Sequence, residues 1–483
     1  MKKIYQSLRN NIPRKQPVAA KEANAGKYYH SVRLLNERCI GCVSCARHCP
    51  TEAIRVRAGK AKIMESRCID CGECIRYCPN HAKTAVTDVM SDLKSYQYNI
   101  ALTAPSLYAQ FEKDVPVSSI LTGLRRMGFD KVAEVARGAE IATGALREYL
   151  SHKNIKRPVI SVACPASVRL ILVKFPELIE YLCPVDAPVE IAARIAREEA
   201  LRDTGLPPED IGVWFITPCP AKMTAVREPI GVVKSELTGT IAMISIFGEL
   251  LKIVSSVEPE GDQSLASSEG VGWAVAGGEA AGLGDARVLV AHGIHNVSEV
   301  LDQLTLGKLN DVDFVECLSC VGGCIGGPLT AINRFVAENS LKQRLKQMRD
   351  KEGPDSHAPT DATQVQQALH MGRGIEPRPA LKLDDDIVKA LQKIELIDAT
   401  LKRLPGLDCG SCGSPTCRAL AEDIVQGTAS ETDCVFRLRE MVRDLAQKMV
   451  NLSEKLPPSL NKEVIHKDFR ETRSAEPKQK ERG

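Results

Sequence analysis

The segment from Glu316 to Pro328, which reads E-C-L-S-C-V-G-G-C-I-G-G-P, restricts what this chain can fold into more than any other. It sets Cys320 and Cys324 four residues apart, with Gly322 and Gly323 between them and Gly326 and Gly327 just after. A thiolate is a soft ligand and selects soft metal partners. Paired glycines remove the Cβ atoms that hold a backbone away from a bulky neighbour. The motif therefore predicts a large, soft inorganic group pressed against the main chain. Two ordinary buried cysteines in a Gly-rich turn would be spelled the same way locally, so the rest of the chain has to decide.

Two further cysteines follow apolar, β-rich runs and precede prolines: Cys164 in P-V-I-S-V-A-C-P and Cys219 in V-W-F-I-T-P-C-P. That pattern fits the carboxyl end of a buried parallel strand. Open α/β sheets place their ligands at those ends. Together with Cys320 and Cys324 they supply four thiolates, the number one 4Fe-4S cubane needs.

The chain has 483 residues and 18 cysteines. In a chain without a recognisable secretion signal, so many argue for metal binding over disulfides. Eight of them form two tandem runs, Cys39-x2-Cys42-x2-Cys45-x3-Cys49-Pro50 and Cys68-x2-Cys71-x2-Cys74-x3-Cys78-Pro79. This is the bacterial two-cluster ferredoxin pattern, in which the fourth Cys of each run serves the other cluster. One cluster then takes Cys39, Cys42, Cys45 and Cys78, and the other Cys68, Cys71, Cys74 and Cys49. Zinc also takes four ligands, but not two such runs ending in proline. Near the carboxyl end, Cys409, Cys412, Cys417 and Cys434 are spaced x2, x4 and x16 with glycines between. That set suits a further cubane, although spacing alone leaves zinc open. Cys183 and Cys317 remain and are expected to be packing residues.

The segments around Cys164, Cys219 and Cys320–Cys324 resemble, in order and approximate spacing, the three signature segments of the FeFe hydrogenases. Thr103-Ala104-Pro105-Ser106 extends the resemblance upstream. In that family the active site is the H-cluster. It joins a four-iron cubane through one cysteine to a two-iron unit carrying CO, CN and a bridging dithiolate. The resemblance implies that Cys164, Cys219, Cys320 and Cys324 hold the cubane, with Cys324 as the bridge. It implies that Lys222 donates to a cyanide, and that Pro105 and Ser106 pack around the other. The C-terminal cysteines, with A-E-D-I-V-Q-G at 421–427, resemble the small four-iron domain of corrinoid acetyl-CoA and Rnf-type electron-transfer subunits.

The chain also departs from that family. Ala163 stands where turnover enzymes carry the cysteine that passes protons to the bridging amine. The helix around Leu146 and Tyr149 offers no carboxylate to continue such a relay. Thr217 and Leu318 replace family methionines. Loss of a proton relay costs about 10²–10⁴-fold in rate. A retained cofactor set without that relay resembles the sensory hydrogenases. The implied function is binding and reversible oxidation of H2 with low turnover, electrons leaving through 4Fe-4S clusters to a ferredoxin or a signalling protein. The alternative is an electron-transfer or cluster-assembly protein that lacks the two-iron subsite.

Composition fits this reading. A net charge of +3 and 4% aromatic residues give no argument for nucleic acid. No run of eighteen apolar residues predicts a membrane span, and a cytoplasmic location is expected. The expected architecture is an arm at 1–30, a dicluster ferredoxin domain at 31–92 and an α/β H-cluster domain of two lobes with mainly parallel sheets at 93–349. A linker at 350–384, a helical 4Fe-4S domain at 385–452 and a disordered tail at 453–483 complete it. Residues 325–349 are expected to form one closing helix, and Asp385–Leu396 a short one. The glycines of 270–284 do not spell a dinucleotide-binding turn.

Overall fold

The computed structural model describes residues 29–259, 266–352, 361–369, 374–453 and 455. The expected arm and tail lie almost wholly outside these residues. Contacts divide the chain into two units, one running to Asp385 and the other beginning at Asp386, with residues 413–415 grouped with the first. Among the described residues no helix is long and apolar enough to cross a membrane.

The first unit opens with two antiparallel strand pairs. β1 (Val32–Leu34) pairs with β4 (Lys83–Ala85), and β2 (Ile54–Arg57) with β3 (Lys60–Ile63). The tandem sequence repeat reappears as a backbone repeat. Gly41 and Val43 flank Cys42 at positive φ, as Asp70 and Gly72 flank Cys71. Glycine meets this demand without a steric cost, and aspartate tolerates it by bonding locally. The Asp70 carboxylate accepts from the Ser31 and Val32 amides at 3.0 and 3.1 Å. His48 and Tyr77, each one residue before a repeat's fourth Cys, stack at 3.8 Å.

Two parallel sheets follow. The larger has the order β6 (Lys131–Glu134), β5 (Tyr98–Thr103), β8 (Ile211–Thr217), β9 (Gly239–Ala242). The smaller has the order β10 (Val288–His292), β11 (Phe314–Leu318), β7 (Val159–Ile160). β8 is buried at every position, which is why it reads as one apolar run without alternation. Helices Val117–Arg126, Pro188–Thr204 and Met243–Val254 cover the larger sheet, and their apolar faces join its core. Helices Pro165–Lys174 and Ile294–Thr305 do the same for the smaller one.

Strand β6 ends at Glu134, because the helix Val135–Ser151 starts at the next residue. Several sequence expectations need correction. The closing helix begins only at Arg334: the Ala331 and Ile332 amides are taken by Gln110, and the Asn333 side chain accepts from the Phe335 amide at 3.0 Å as its cap. The expected linker is not free chain. Within it, helix Ala362–Ala368 buries Val365 and Ala368 against Ile141, Leu146 and Phe314. Further on, the Arg378 guanidinium donates to the carbonyls of Glu65 (2.6 Å) and Cys68 (3.3 Å). A few apolar residues at helical spacing were hidden in a polar stretch.

The second unit holds helices Ile387–Arg403, Cys417–Val425 and Val435–Ser453. The first runs longer than Asp385–Leu396, capped by Asp386, whose carboxylate accepts from the Val388 amide at 2.8 Å.

The cysteine repeat is seated on the parallel sheets through Gly72. A Cβ there would stand 2.4 Å from Pro328 Cγ, and its φ is +78°. Gly72→Ala should therefore destabilise the first unit by about 1–3 kcal/mol. The check is anaerobic thermal unfolding against wild type; an unchanged midpoint would mean that this contact yields freely.

Candidate metal centre

A cavity lies where the strands of both parallel sheets end. β5 delivers Ala104, Pro105 and Ser106, and β8 delivers Cys219; β7 leads to Ala163 and Cys164, and β11 to Cys320 and Cys324. All eight line it together with Lys222. The sequence-predicted residues of the central site are thus brought together in one place. Cys164 and Cys219 each sit at the foot of a helix whose first residue is a proline, which turns the chain sharply out of the strand. The Thr217 hydroxyl accepts from the Cys219 amide at 3.1 Å and donates to the Cys219 carbonyl at 3.0 Å, holding that turn. The Lys222 ammonium donates to the Ala163 carbonyl at 3.1 Å.

The glycines act differently from the expectation. A Cβ on Gly323 would meet the backbone of Ala274–Ala276 at 2.7 Å, and one on Gly327 would meet Pro218 O at 2.4 Å. Their lack of a side chain lets protein backbones close on one another around the cavity. Gly322 and Gly323 also need φ of +84° and +92°. The Gly322 carbonyl accepts from the Ala276 amide at 3.1 Å, and the Ala274 carbonyl from the Ile325 amide at 3.2 Å. The glycine-rich stretch at 270–284 is the other half of that embrace.

Burial dominates the electrostatics. It pushes the Cys320 thiol up to about 11 and the Cys324 thiol to about 12, with neighbouring cysteine charge adding to both. Cys219 rises for the same two reasons. Burial also acts against the Cys164 thiolate, but the polar groups of Ser167 and Ser319 beside it favour the thiolate more strongly and leave that thiol below its usual range. Four such thiols can ionise together only beside compensating positive charge, which is what iron supplies. The Ser106 hydroxyl is wholly buried with no hydrogen-bond partner among the described residues, and it faces this cavity. An orphan donor, an ammonium and four thiols in a largely apolar chamber fit an anionic-ligand metal group larger than a single ion.

Sequence reasoning missed the acids of this chamber. Glu279 and Glu316 both line it. Ser161 donates to Glu279 at 2.6 Å and accepts from the Ala163 amide at 3.2 Å. The Glu316 carboxylate accepts from the Gly277 and Ala280 amides, both at 2.9 Å. Burial, and then the Glu316 charge, raise the Glu279 carboxyl well above the ordinary range; burial alone raises Glu316. A lone Glu in a glycine run and another on an apolar strand were the only signals. Cys183 and Cys317 are buried in apolar cores, as packing residues should be.

In the amino-terminal repeat, Cys39, Cys42, Cys45 and Cys78 line one small pocket with Lys83. Lys83 is 3% exposed, and its Nζ has no hydrogen-bond partner. Burial raises the Cys45 thiol to about 11 while Lys83 opposes the rise, and Lys83 does the same for Cys74. Burial and then the charge of Cys49 raise Cys71, so Cys49 faces the second run. The Cys49 and Cys78 sulfurs accept equivalent amide bonds, from Ala53 at 3.2 Å and Ala82 at 3.1 Å. Cys71 shares a core with Cys219, and the Arg76 guanidinium donates to Gly326 O at 2.6 Å. In the second unit Cys409, Cys412, Cys417 and Cys434 line a pocket of their own. Asp408 positions it by accepting from the Cys417 amide at 2.6 Å.

Residues 97–282 and 274–328 match the family described as the iron-only hydrogenase large subunit, C-terminal domain. Residues 31–79 match a 4Fe-4S dicluster domain, and residues 404–436 an Fe-S cluster family. The chain is 25% identical over 290 residues to the NADP-reducing hydrogenase subunit HndD of Solidesulfovibrio fructosivorans, covering 47% of this chain and 49% of that protein. It is 26% identical over 361 residues to the periplasmic Fe hydrogenase large subunit of Nitratidesulfovibrio vulgaris, covering 62% of this chain and 86% of that one. It therefore spans about half the length of the first relative and most of the second. A stretch of 51 residues is 43% identical to a component of the ion-translocating oxidoreductase complex of Cereibacter sphaeroides, covering 11% of this chain and 27% of that protein. Set beside a four-cysteine chamber at the ends of parallel strands, these matches identify the chain as a member of the iron-only, or FeFe, hydrogenase family with iron–sulfur cluster segments on both sides of its hydrogenase-like domain.

Proposed function

We propose that this protein binds and reversibly oxidises H2 at low turnover and serves as a hydrogen or redox sensor. The observation that carries the reading is the chamber wall. Four cysteines, Lys222 and Ser106 converge there, yet the residue before Cys164 is an alanine. In this reading Cys164, Cys219, Cys320 and Cys324 hold a cubane, Cys324 also bridging to a two-iron unit, while Lys222, Ser106 and Pro105 face the CO and CN ligands. The two-iron unit, when bound, supplies the chemistry of H2 binding and splitting.

The chain's own residues handle the proton. A methyl at Ala163 cannot titrate. One carboxyl of the wall able to take up and release a proton, Glu279, is tied through Ser161 to the Ala163 amide. Its raised affinity for protons lets it keep a proton at higher pH than an exposed carboxyl would, which suits a proton donor. Electrons leave toward the second cysteine run, since Cys71 shares the core of Cys219. From there they pass to the first run, beside Lys83, and on to a redox or signalling partner. Three further 4Fe-4S clusters, two in the amino-terminal repeat and one in the second unit, make four cubanes in all. So many cysteines in metal-ligating patterns suit a reducing compartment such as the cytoplasm.

Anaerobically reconstituted protein should then carry about sixteen irons, four for each Cys₄ set. Cys412→Ser should remove one four-iron signal from the electron paramagnetic resonance spectrum and leave the other three. Iron near eight per chain would contradict the cluster assignment.

Turnover tests the proton step. Glu279→Gln keeps an acceptor for Ser161 but holds no exchangeable carboxyl proton, and it should lower H2 turnover by about 10²–10⁴-fold. Wild-type H2 evolution needs the protonated acid, so it should fall as pH rises through the raised Glu279 value; in Glu279→Gln that limb should vanish. Ala163→Cys should raise turnover, because it adds a titratable thiol at the same wall. A wild-type rate equal to that of a fast hydrogenase at saturating electron acceptor would refute the sensory reading.

A further inference from the structure

The last helix of the second unit, Val435–Ser453, buries none of its residues. Six of its apolar side chains alternate at spacings of three and four, while Phe436, Met441, Ala446 and Val450 lie outside that row. Val435, Val442 and Met449 fall at the a positions of a heptad, and Leu438, Leu445 and Leu452 at d. The next a position in the sequence is Leu456. From Leu438 to Leu452 these side chains are 41–63% exposed. A row of this kind along five turns, with nothing of its own unit over it among the described residues, is a seam without its other half.

The kind of partner can be read from the residues in the seam. β-branched residues at a with leucine at d favour two parallel strands, because each geometry admits a different side-chain shape. Val435 and Val442 at a, against Leu438, Leu445 and Leu452 at d, follow that rule; the unbranched Met449 is neutral to it. The flanking positions agree. In a parallel pair the g residue of one strand faces the e residue one heptad on. Met441 of one copy then meets Ala446 of the other, and Lys448 meets Ser453, so no like charges are opposed. The c and f positions facing away are Arg437, Glu440, Asp444, Gln447 and Asn451, all polar.

We propose that this helix pairs with its equivalent in a second copy of the chain as a parallel two-stranded coiled coil. The partner is self because the seam is complementary to itself in register, with identical layers facing each other. Cys434 immediately precedes the first a residue. A parallel arrangement therefore brings the C-terminal cysteine pockets of the two copies to the same end of the coil, where an antiparallel one would separate them by the helix length. The inference rests on the heptad and its exposure and is independent of the hydrogen-sensing reading.

The test is the mass of the anaerobically reconstituted full chain by size exclusion with light scattering at micromolar concentration. The expected value is twice the 52.6 kDa chain mass. Leu438→Lys combined with Leu445→Lys should give the monomer with unchanged iron content, which shows that the clusters still assemble. Gln447→Lys, at an outward f position, should leave the dimer intact. Met449→Cys should yield a covalent dimer with a short bis-maleimide, since a residues face each other only in a parallel, in-register pair. A monomeric wild type, including one that pairs only with a different protein, would overturn the proposal. So would a double-lysine variant that remains dimeric, or a Met449→Cys dimer that does not cross-link.

Discussion

Four thiols buried together in an apolar chamber cannot all ionise unless strong positive charge sits among them. Much of the first unit is organised around that requirement. Two parallel sheets point their carboxyl ends into one space, and each cysteine is placed at the point where a strand gives way to a turn. Prolines after Cys164 and Cys219 make those turns abrupt. Glycines at 323 and 327 let the neighbouring loops meet backbone to backbone, so that the chamber closes without side chains intruding.

The same electrostatic demand recurs in the amino-terminal repeat, with a different answer. There a buried lysine, Lys83, stands between thiols of both runs and opposes the rise that burial imposes on Cys45 and Cys74. Its unpartnered Nζ is the mirror of the unpartnered Ser106 hydroxyl in the central chamber. Both are buried donors without a partner among the described residues, and each lines a pocket walled by cysteines. The close seat of Gly72 against Pro328 then ties the repeat to the central loops, and Arg378 binds the carbonyls on its other flank.

Much of this was legible in the sequence because cluster ligands are few, chemically distinctive and tied to rigid spacings. The run Ile211–Thr217 announced a buried parallel strand, and the element formed with those bounds. What escaped the sequence was governed by long-range packing. Glu279 and Glu316 look like ordinary acids until two distant segments enclose them. The expected linker looked polar because a few scattered residues, among them Val365, Ala368 and Arg378, carry its docking, and no periodic pattern of that length stands out. The glycines were read as making room for an inorganic group, whereas a sequence cannot say whose atoms fill the space beside a missing Cβ.

The account stands or falls on what occupies the chamber walled by Cys164, Cys219, Cys320, Cys324, Lys222 and Ser106. Infrared spectroscopy of the protein after maturation with the two-iron unit reads this directly, because CO and CN absorb where no protein group does. The account expects both sets of bands in the wild type, with Lys222→Met shifting the CN bands. A spectrum without CO and CN bands, obtained from protein whose cubanes are fully assembled under maturation that succeeds for a known hydrogenase, would contradict it.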